Sequence, residues 1–469
     1  MHTITIKDDC VSTFARASSP VAGRVAPRDG EAGGRIVGPA AGADVLIACP
    51  DARAPAYQAA VSLARAGRLG RFVTGFYYGG GGPLAEAGRR LVPGRFARWE
   101  RWLLRRQEPE IPADRVRSDW GFDLALAAER RLAASRPGAR LALARWRTRR
   151  FDRVVARAVG RDRPGAALVF SDVASEFGLP ECRRLGIPSV LSMVHGDVRE
   201  EREVMAAEAG AAPDFFPIYL GNGAVDPAEM AWLHDRRLRD IELADRILVP
   251  SGHIADELAR HGTPRDRIAV VPYAADTARF VPEPGKQRGT SCTFLFAGGI
   301  TQRKGIKYLL EAWRLARRPG WKLQLLGALP ADPGPLAPYR DEVEWLGRVG
   351  HADVPARMAA ADVFVFPSLF EGSAVVTYEA MACGLPCIVT AEAGSVARDG
   401  RDGLIVPTRD VPALAAAIER LGLDIPFRAE CSASARAHAE AHDWPRYHAA
   451  VLEAVRAVTG RPRSNPTPN

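Results

Sequence analysis

"DVFVFPSLFEGSAVVTYEAMACGLPCIVTA", residues 362–391, reads as strand, turn, helix, turn and strand. "DVFVFPS" (362–368) is a short apolar run without alternation, as expected of a strand buried on both faces. "LFEG" turns the chain and "AVVTYEAMAC" (374–383) is the helix. Gly384 then supplies a left-handed cap, and Pro386 prevents continuation. "PCIVTA" (386–391) is the following strand. A unit of this kind belongs to a parallel sheet wrapped by helices.

The same alternation extends in both directions. "CTFLFAG" (292–298), "KLQLLG" (322–327) and "VEWLG" (343–347) are strands; 305–317, 354–361 and 410–421 are helices. Upstream, "ADVLIAC" (43–49), "RFVTGFYY" (71–78), "ALVFSD" (167–172), "PSVLSMVH" (188–195), "ADRILVPS" (244–251) and "RIAVVPY" (267–273) repeat the pattern. Polar "EPGKQRGTS" (283–291) interrupts it and places a linker at 285–291. The expectation is an α/β chain of two doubly wound, Rossmann-like domains, 43–284 and 292–441, facing a central cleft, with a final helix at 442–459. Residues 1–42 and 460–469, lacking hydrophobic periodicity, read as disordered tails.

At 469 residues, two domains also fit the length. The net charge is +9, but only five of the 64 basic residues are lysines, a bias that makes the basic balance weak evidence for nucleic acid. No nucleic-acid partner is expected. Seven scattered cysteines show no disulfide or zinc framework, which favours a reducing, cytoplasmic compartment. No signal peptide or membrane-spanning run is evident.

Candidate chemistry gathers at two strand ends. Glu371 and Glu379 stand eight positions apart around the start of the 374–383 helix. That start presents backbone N–H groups to an anion, and Gly372, Ser373 and Ala374 are small enough for close approach. Glu379 would accept a pair of sugar hydroxyls. The plain alternative is two solvated glutamates on a packed helix. "GGITQRKGIKYLLEAW" (298–313) favours the functional reading, because Gly298, Gly299, Arg303 and Lys304 stand at another strand–helix turn and suit a diphosphate.

Taken together, "RKGIKYLLEA", "VFPSLFEGSAVVTYEAMACGLPCIVT" and "GRDGLIVPTRDVPALAAAIERL" resemble the retaining, nucleotide-sugar-dependent glycosyltransferases of family 4, with the GT-B fold and an E-x7-E signature. "RLRDIELADRILVPSGHIADEL" and "RIAVVPYAADTARFVP" look like the family's segment before the linker. The likeness covers roughly residues 150–450. It implies an acceptor domain at 43–284 and a donor domain at 292–441 that binds a nucleotide diphosphate sugar as co-substrate. No further cofactor and no metal are implied. Glu379 would hold the ribose; Arg303 and Lys304 would hold the diphosphate and steady the leaving group. Gly298, Gly299, Gly372, Ser373, Ala374 and Val375 would line the donor, with Glu371 beside its sugar. His195 would face that sugar from the other domain. The 442–459 helix, started by Asp443 and Pro445, would cross back onto the first domain.

The implied activity is hexosyl transfer with retention to a carbohydrate or lipid-linked hydroxyl acceptor. A GT-B nucleotide-sugar epimerase and a non-catalytic nucleotide-sugar binder are the alternatives. Departures exist: "CPDARAPAYQ" (49–58) lacks the usual glycine pair, Gly299 stands where an arginine is common, and "PYAAD" (272–276) replaces a Pro-Asn-Gly run. "YYGGGGPL" (77–84) has Leu84 where a dinucleotide fingerprint needs glycine, and reads as a loop. "RFARWERWLLRRQ" (95–107) and the nine arginines from Arg140 to Arg163 leave two readings standing. One is peripheral contact with an anionic membrane; the other is solvated arginines over a packed apolar face.

Overall fold

The computed structural model describes residues 44–459 except 52–53, 80–85, 87–88, 133–136, 222–225 and 287–288. The two expected tails, and most of the 77–84 loop, lie outside the described residues. A seven-stranded sheet holds β1 (Val45–Ala48), β2 (Leu69–Thr74), β3 (Val116–Ser118), β4 (Ala166–Phe170), β5 (Ser189–Ser192), β6 (Arg246–Val249) and β7 (Ile268–Val270) in the order 3-2-1-4-5-6-7. A six-stranded sheet holds β8 (Thr293–Ala297), β9 (Lys322–Leu326), β10 (Glu344–Gly347), β11 (Val363–Phe366), β12 (Cys387–Val389) and β13 (Gly403–Ile405) in the order 10-9-8-11-12-13. Every strand pair in both sheets is parallel.

The central strands are buried along their whole length: "VLIA" in β1, "AALVF" in β4, "SVLS" in β5 and "VFVF" in β11. Such runs can only be satisfied between two helical layers. In each sheet the strand order reverses once, between β1 and β4 and between β8 and β11. Crevices open at the carboxyl ends of strands flanking such a reversal. In the second sheet those ends carry the two motifs, since β8 leads to Arg303 and Lys304 and β11 leads to Glu371.

Two edge strands were not foreseen. β3 is "VRS", half-buried throughout, and β13 is "GLI", whose Ile405 is exposed. Three residues are too few for periodicity to register. The basic helix Pro137–Asp162 spreads its charge among partners: Arg140 pairs with Glu229, Arg147 with Glu129, Arg149 with Glu176 and Arg150 with Asp119. In the helix Pro93–Leu103 the side chains of Trp99 and Trp102 lie outside the described residues. Among the described residues no helix is long and apolar enough to cross a membrane.

After the second sheet the helix Trp444–Thr459 packs on Ala54–Arg65 and on β4 and β5 of the first. Asp443 caps it, its carboxylate accepting from Arg446 N–H at 2.9 Å. Tyr447 donates its hydroxyl to Pro55 O at 2.9 Å, and His448 Nε2 meets Gln58 Oε1 at 2.7 Å. Val451 in this seam is completely buried. Val451→Ala therefore removes two buried carbons and leaves a cavity, at a cost of about 2 kcal/mol. A lowered thermal midpoint with unchanged far-UV dichroism is the expected outcome.

Candidate functional site

The cationic pair stands on a tight turn. After β8, Thr301 is extended (φ −137°), Gln302–Lys304 forms one 3-10 turn, and Gly305 closes it at φ +72° before the helix Ile306–Ala316. Glycine is required at Gly305 twice over, by that dihedral and by a backbone that would bring a Cβ within 2.0 Å of Pro367 O. The carbonyl of Arg303 accepts from Leu369 N–H at 2.8 Å and from Ser368 Oγ at 3.2 Å. Those two bonds tie the turn after β8 to the loop after β11.

Glu371 thereby faces both cations. Its Oε1 lies 3.4 Å from Arg303 Nη2 and 3.5 Å from Lys304 Nζ. Burial alone would raise the Glu371 carboxyl, but the two cations outweigh it and hold the group below its usual range. Lys304 Nζ also sits 4.9 Å above the Phe366 ring, and a Cβ on Gly298 would lie 3.1 Å from that nitrogen. Both ion pairs are longer than an ordinary charge-assisted hydrogen bond.

The first sheet supplies the opposite wall. A Cβ on Gly372 would fall 2.2 Å from Val194 O and 3.0 Å from His195 Cα, so only glycine allows this approach. Ser251 Oγ donates across the same seam to Gly372 O at 3.1 Å. His195 follows β5; its Nδ1 lies 2.8 Å from Gly196 O, which assigns the proton there, and its Nε2 lies 3.9 Å from Asp172 Oδ2. Asp172 follows β4 in a left-handed conformation (φ +70°) and pairs with Arg237 at 3.1 Å. Burial would raise the Asp172 carboxyl, yet Arg237 and then His195 pull it down to about 2. Asp172 and Arg237 were missed in the sequence. The only signal was the position of Asp172 at the end of "ALVFSD", and its dihedral has no sequence signature.

The helix Val375–Ala382 begins later than Ser373, with Ala374 at its cap. The Ser373 hydroxyl turns inward, donating to Gly394 O at 2.7 Å and meeting Tyr378 OH at 3.0 Å. Ala374 N–H is taken by Ala393 O at 3.0 Å. Val375 thus carries the first helical amide. Gly299, half-buried, joins Gly298 to the extended residues before the turn. Glu379 lies about 6 Å further along the helix axis. Among the described residues no ion pair joins it to Arg303 or Lys304; its charged neighbour is Arg279, which also bonds His351 Nε2 at 2.6 Å. Burial pushes Glu379 up to about 8, with Arg279 opposing. So Glu371, Arg303, Lys304 and Gly298 converge and Gly372 packs on the backbone of Val194 and His195, while Glu379 has Arg279 as its charged neighbour.

Residues 291–424 match the family described as Glycosyl transferases group 1. That span contains Gly298, Arg303, Lys304, Glu371 and Glu379, whereas His195 lies outside it. The D-inositol 3-phosphate glycosyltransferase of Paenarthrobacter aurescens (strain TC1) is 32% identical over 245 residues, 47% of this chain and 60% of that protein. The chain thus spans less than two thirds of that relative's length. Among solved structures, sucrose-phosphate synthase from Thermosynechococcus elongatus superposes with a TM-score of 0.58 at 18% identity, covering 88% of this chain and 98% of that one. Anabaena Alr3699/HepE in complex with UDP-glucose gives 0.55 at 15% identity, covering 88% and 99%. The architecture is GT-B.

The Glu379 carboxyl titrates near 4.5 when unfolded and near 8 when folded. Between those values the folded state keeps a proton that the unfolded state has lost, so stability is full below about 4.5 and falls as pH rises through 8. Glu379→Gln should flatten this fall, melting higher than wild type at pH 8–9. A melting series from pH 5 to 9 checks it; parallel curves for the two proteins would count against a buried, protonated Glu379.

Proposed function

We propose that the chain is a retaining glycosyltransferase of family 4 that moves a hexosyl group from a nucleotide diphosphate sugar to a hydroxyl acceptor, a glycolipid, a polysaccharide or a small molecule. The observation carrying the reading is Glu371 held between Arg303 and Lys304, directly before the glycine that meets the first sheet at Val194. The group 1 match over 291–424 supports it, as do a relative named as a glycosyltransferase and a GT-B neighbour solved with UDP-glucose.

In this reading the diphosphate lies against Arg303 and Lys304. Each replaces its long contact to Glu371 with a shorter one to phosphate. The ribose hydroxyls reach Glu379, a residue only 7% exposed, whose carboxyl has hydrogen bonds to gain from hydroxyl partners. The sugar lies near Glu371, Gly372 and His195. As the bond from the anomeric carbon to the phosphate oxygen breaks, the departing diphosphate gains charge, which the two fixed cations stabilise more than they stabilise the intact donor. The acceptor oxygen bonds the anomeric carbon on the face just vacated, and its proton passes to a phosphate oxygen of the leaving group. That retains configuration without a protein nucleophile.

The fixed cations supply the neutralisation a metal–diphosphate clamp would otherwise give, so turnover is expected to survive EDTA. We place the enzyme in the cytoplasm, with peripheral membrane contact through 95–107 and 140–163 as a separate proposal; equal flotation on neutral and anionic liposomes would remove it.

Thermal-shift measurements with UDP-, GDP-, ADP- and dTDP-glucose should reveal one stabilising donor. Lys304→Ala should cut donor turnover by about 2–3 kcal/mol of barrier, some 30- to 150-fold. A Lys304→Ala protein that folds and turns over normally would overturn the site.

A further inference from the structure

The helix Val198–Ala211 leaves the first half of the molecule and ends in the second. At its start Glu200 meets His261 Nε2 at 3.0 Å and Glu201 pairs with Arg237 at 3.1 Å, both partners lying in the first half. Roughly 10 Å further along the axis comes Glu208, at 1.5 Å per residue. Its carboxylate is completely buried and accepts from three residues of the second half. Gln302 Nε2 donates at 2.6 Å, Tyr308 OH at 2.9 Å and Arg409 Nε at 2.6 Å.

Gln302 is the first residue of the turn that carries Arg303 and Lys304. Its other side-chain atom, Oε1, accepts from Lys307 N–H at 3.1 Å, so the amide is fixed at both ends. The chain beyond Glu208 continues the grip. Tyr219 O accepts Arg303 N–H at 3.2 Å and Gly221 O accepts Ala331 N–H at 3.0 Å. Arg409 is held at φ +64°, a conformation that persists only where surroundings over-determine it. A buried carboxylate used merely to join two halves would be outdone by apolar packing, because its desolvation is costly. Here one of its three donors, Gln302, is the residue that directly precedes the cationic pair.

We propose that Glu208 is a positioning residue for the donor site: from across the cleft it clamps Gln302 and thereby sets where Arg303 and Lys304 stand. The proposal rests on the transferase reading for its consequence in donor binding, but its geometric content concerns the turn itself.

Glu208→Gln keeps the shape and removes the charge that Arg409 pairs with; Tyr308→Phe removes one donor and leaves the carboxylate paired. Both are made in the full chain. Hydrogen exchange of peptides covering 299–306 and 367–372 reads the turn without any ligand. In Glu208→Gln these amides should exchange about tenfold faster, with a smaller shift in Tyr308→Phe, which serves alone if Glu208→Gln does not fold. The donor selected from UDP-, GDP-, ADP- and dTDP-glucose should bind about tenfold more weakly to Glu208→Gln. In a Lys304→Ala background that loss should largely vanish, because Glu208 acts through the turn. Unchanged exchange at 299–306, or a fully additive loss with Lys304→Ala, would overturn the proposal. If wild type binds none of the four donors, the transferase reading fails while the exchange result still decides the role of Glu208.

Discussion

The carbonyl of Arg303 holds the second half of the cleft together. Leu369 N–H and Ser368 Oγ both donate to it, and this ties the turn after β8 to the loop after β11 across the reversal of strand order. Without that tie the two strand ends would be separate loops. With it, two cations and one carboxylate are brought to a common point whose backbone is already satisfied. Gly305 and Gly372 make the closeness physically available, one against Pro367 O and the other against Val194 O.

The two glutamates, eight positions apart, live in opposite environments. Glu371 is buried but answered by Arg303 and Lys304, which keeps it ionised. Glu379 is buried with little to answer it, and its carboxyl rises to about 8. Divergent environments for similar groups are a mark of assigned roles. Here the ionised one tempers the cations, and the other is buried with Arg279 as its charged neighbour.

The wall across the cleft is organised differently. Asp172 and His195, at the ends of β4 and β5, form a polar cluster with Arg237, and Asp172 is in a strained dihedral. The helix Val198–Ala211 leads from this cluster to Glu208, so the two walls are linked through bonded side chains as well as through the apolar seam where Phe215 meets Tyr339.

Much of the layout was readable from the chain itself. Continuous apolar strands such as "VFVF" and "TFLFA" alternate with helices because burial on both faces leaves the residues little choice, and that pattern alone yields parallel sheets. Arg303, Lys304 and Glu371 were identifiable because strand ends and helix starts are local features. What no local feature encodes is which strand ends become neighbours in space. The nearness of Gly372 to Val194, the pairing of Asp172 with Arg237 and the reach of Glu208 to Gln302 join residues 65 to 178 positions apart. The pairing of Asp172 with Arg237 comes from packing within the first half, the other two meetings come from one half seated against the other, and only the tertiary structure decides them.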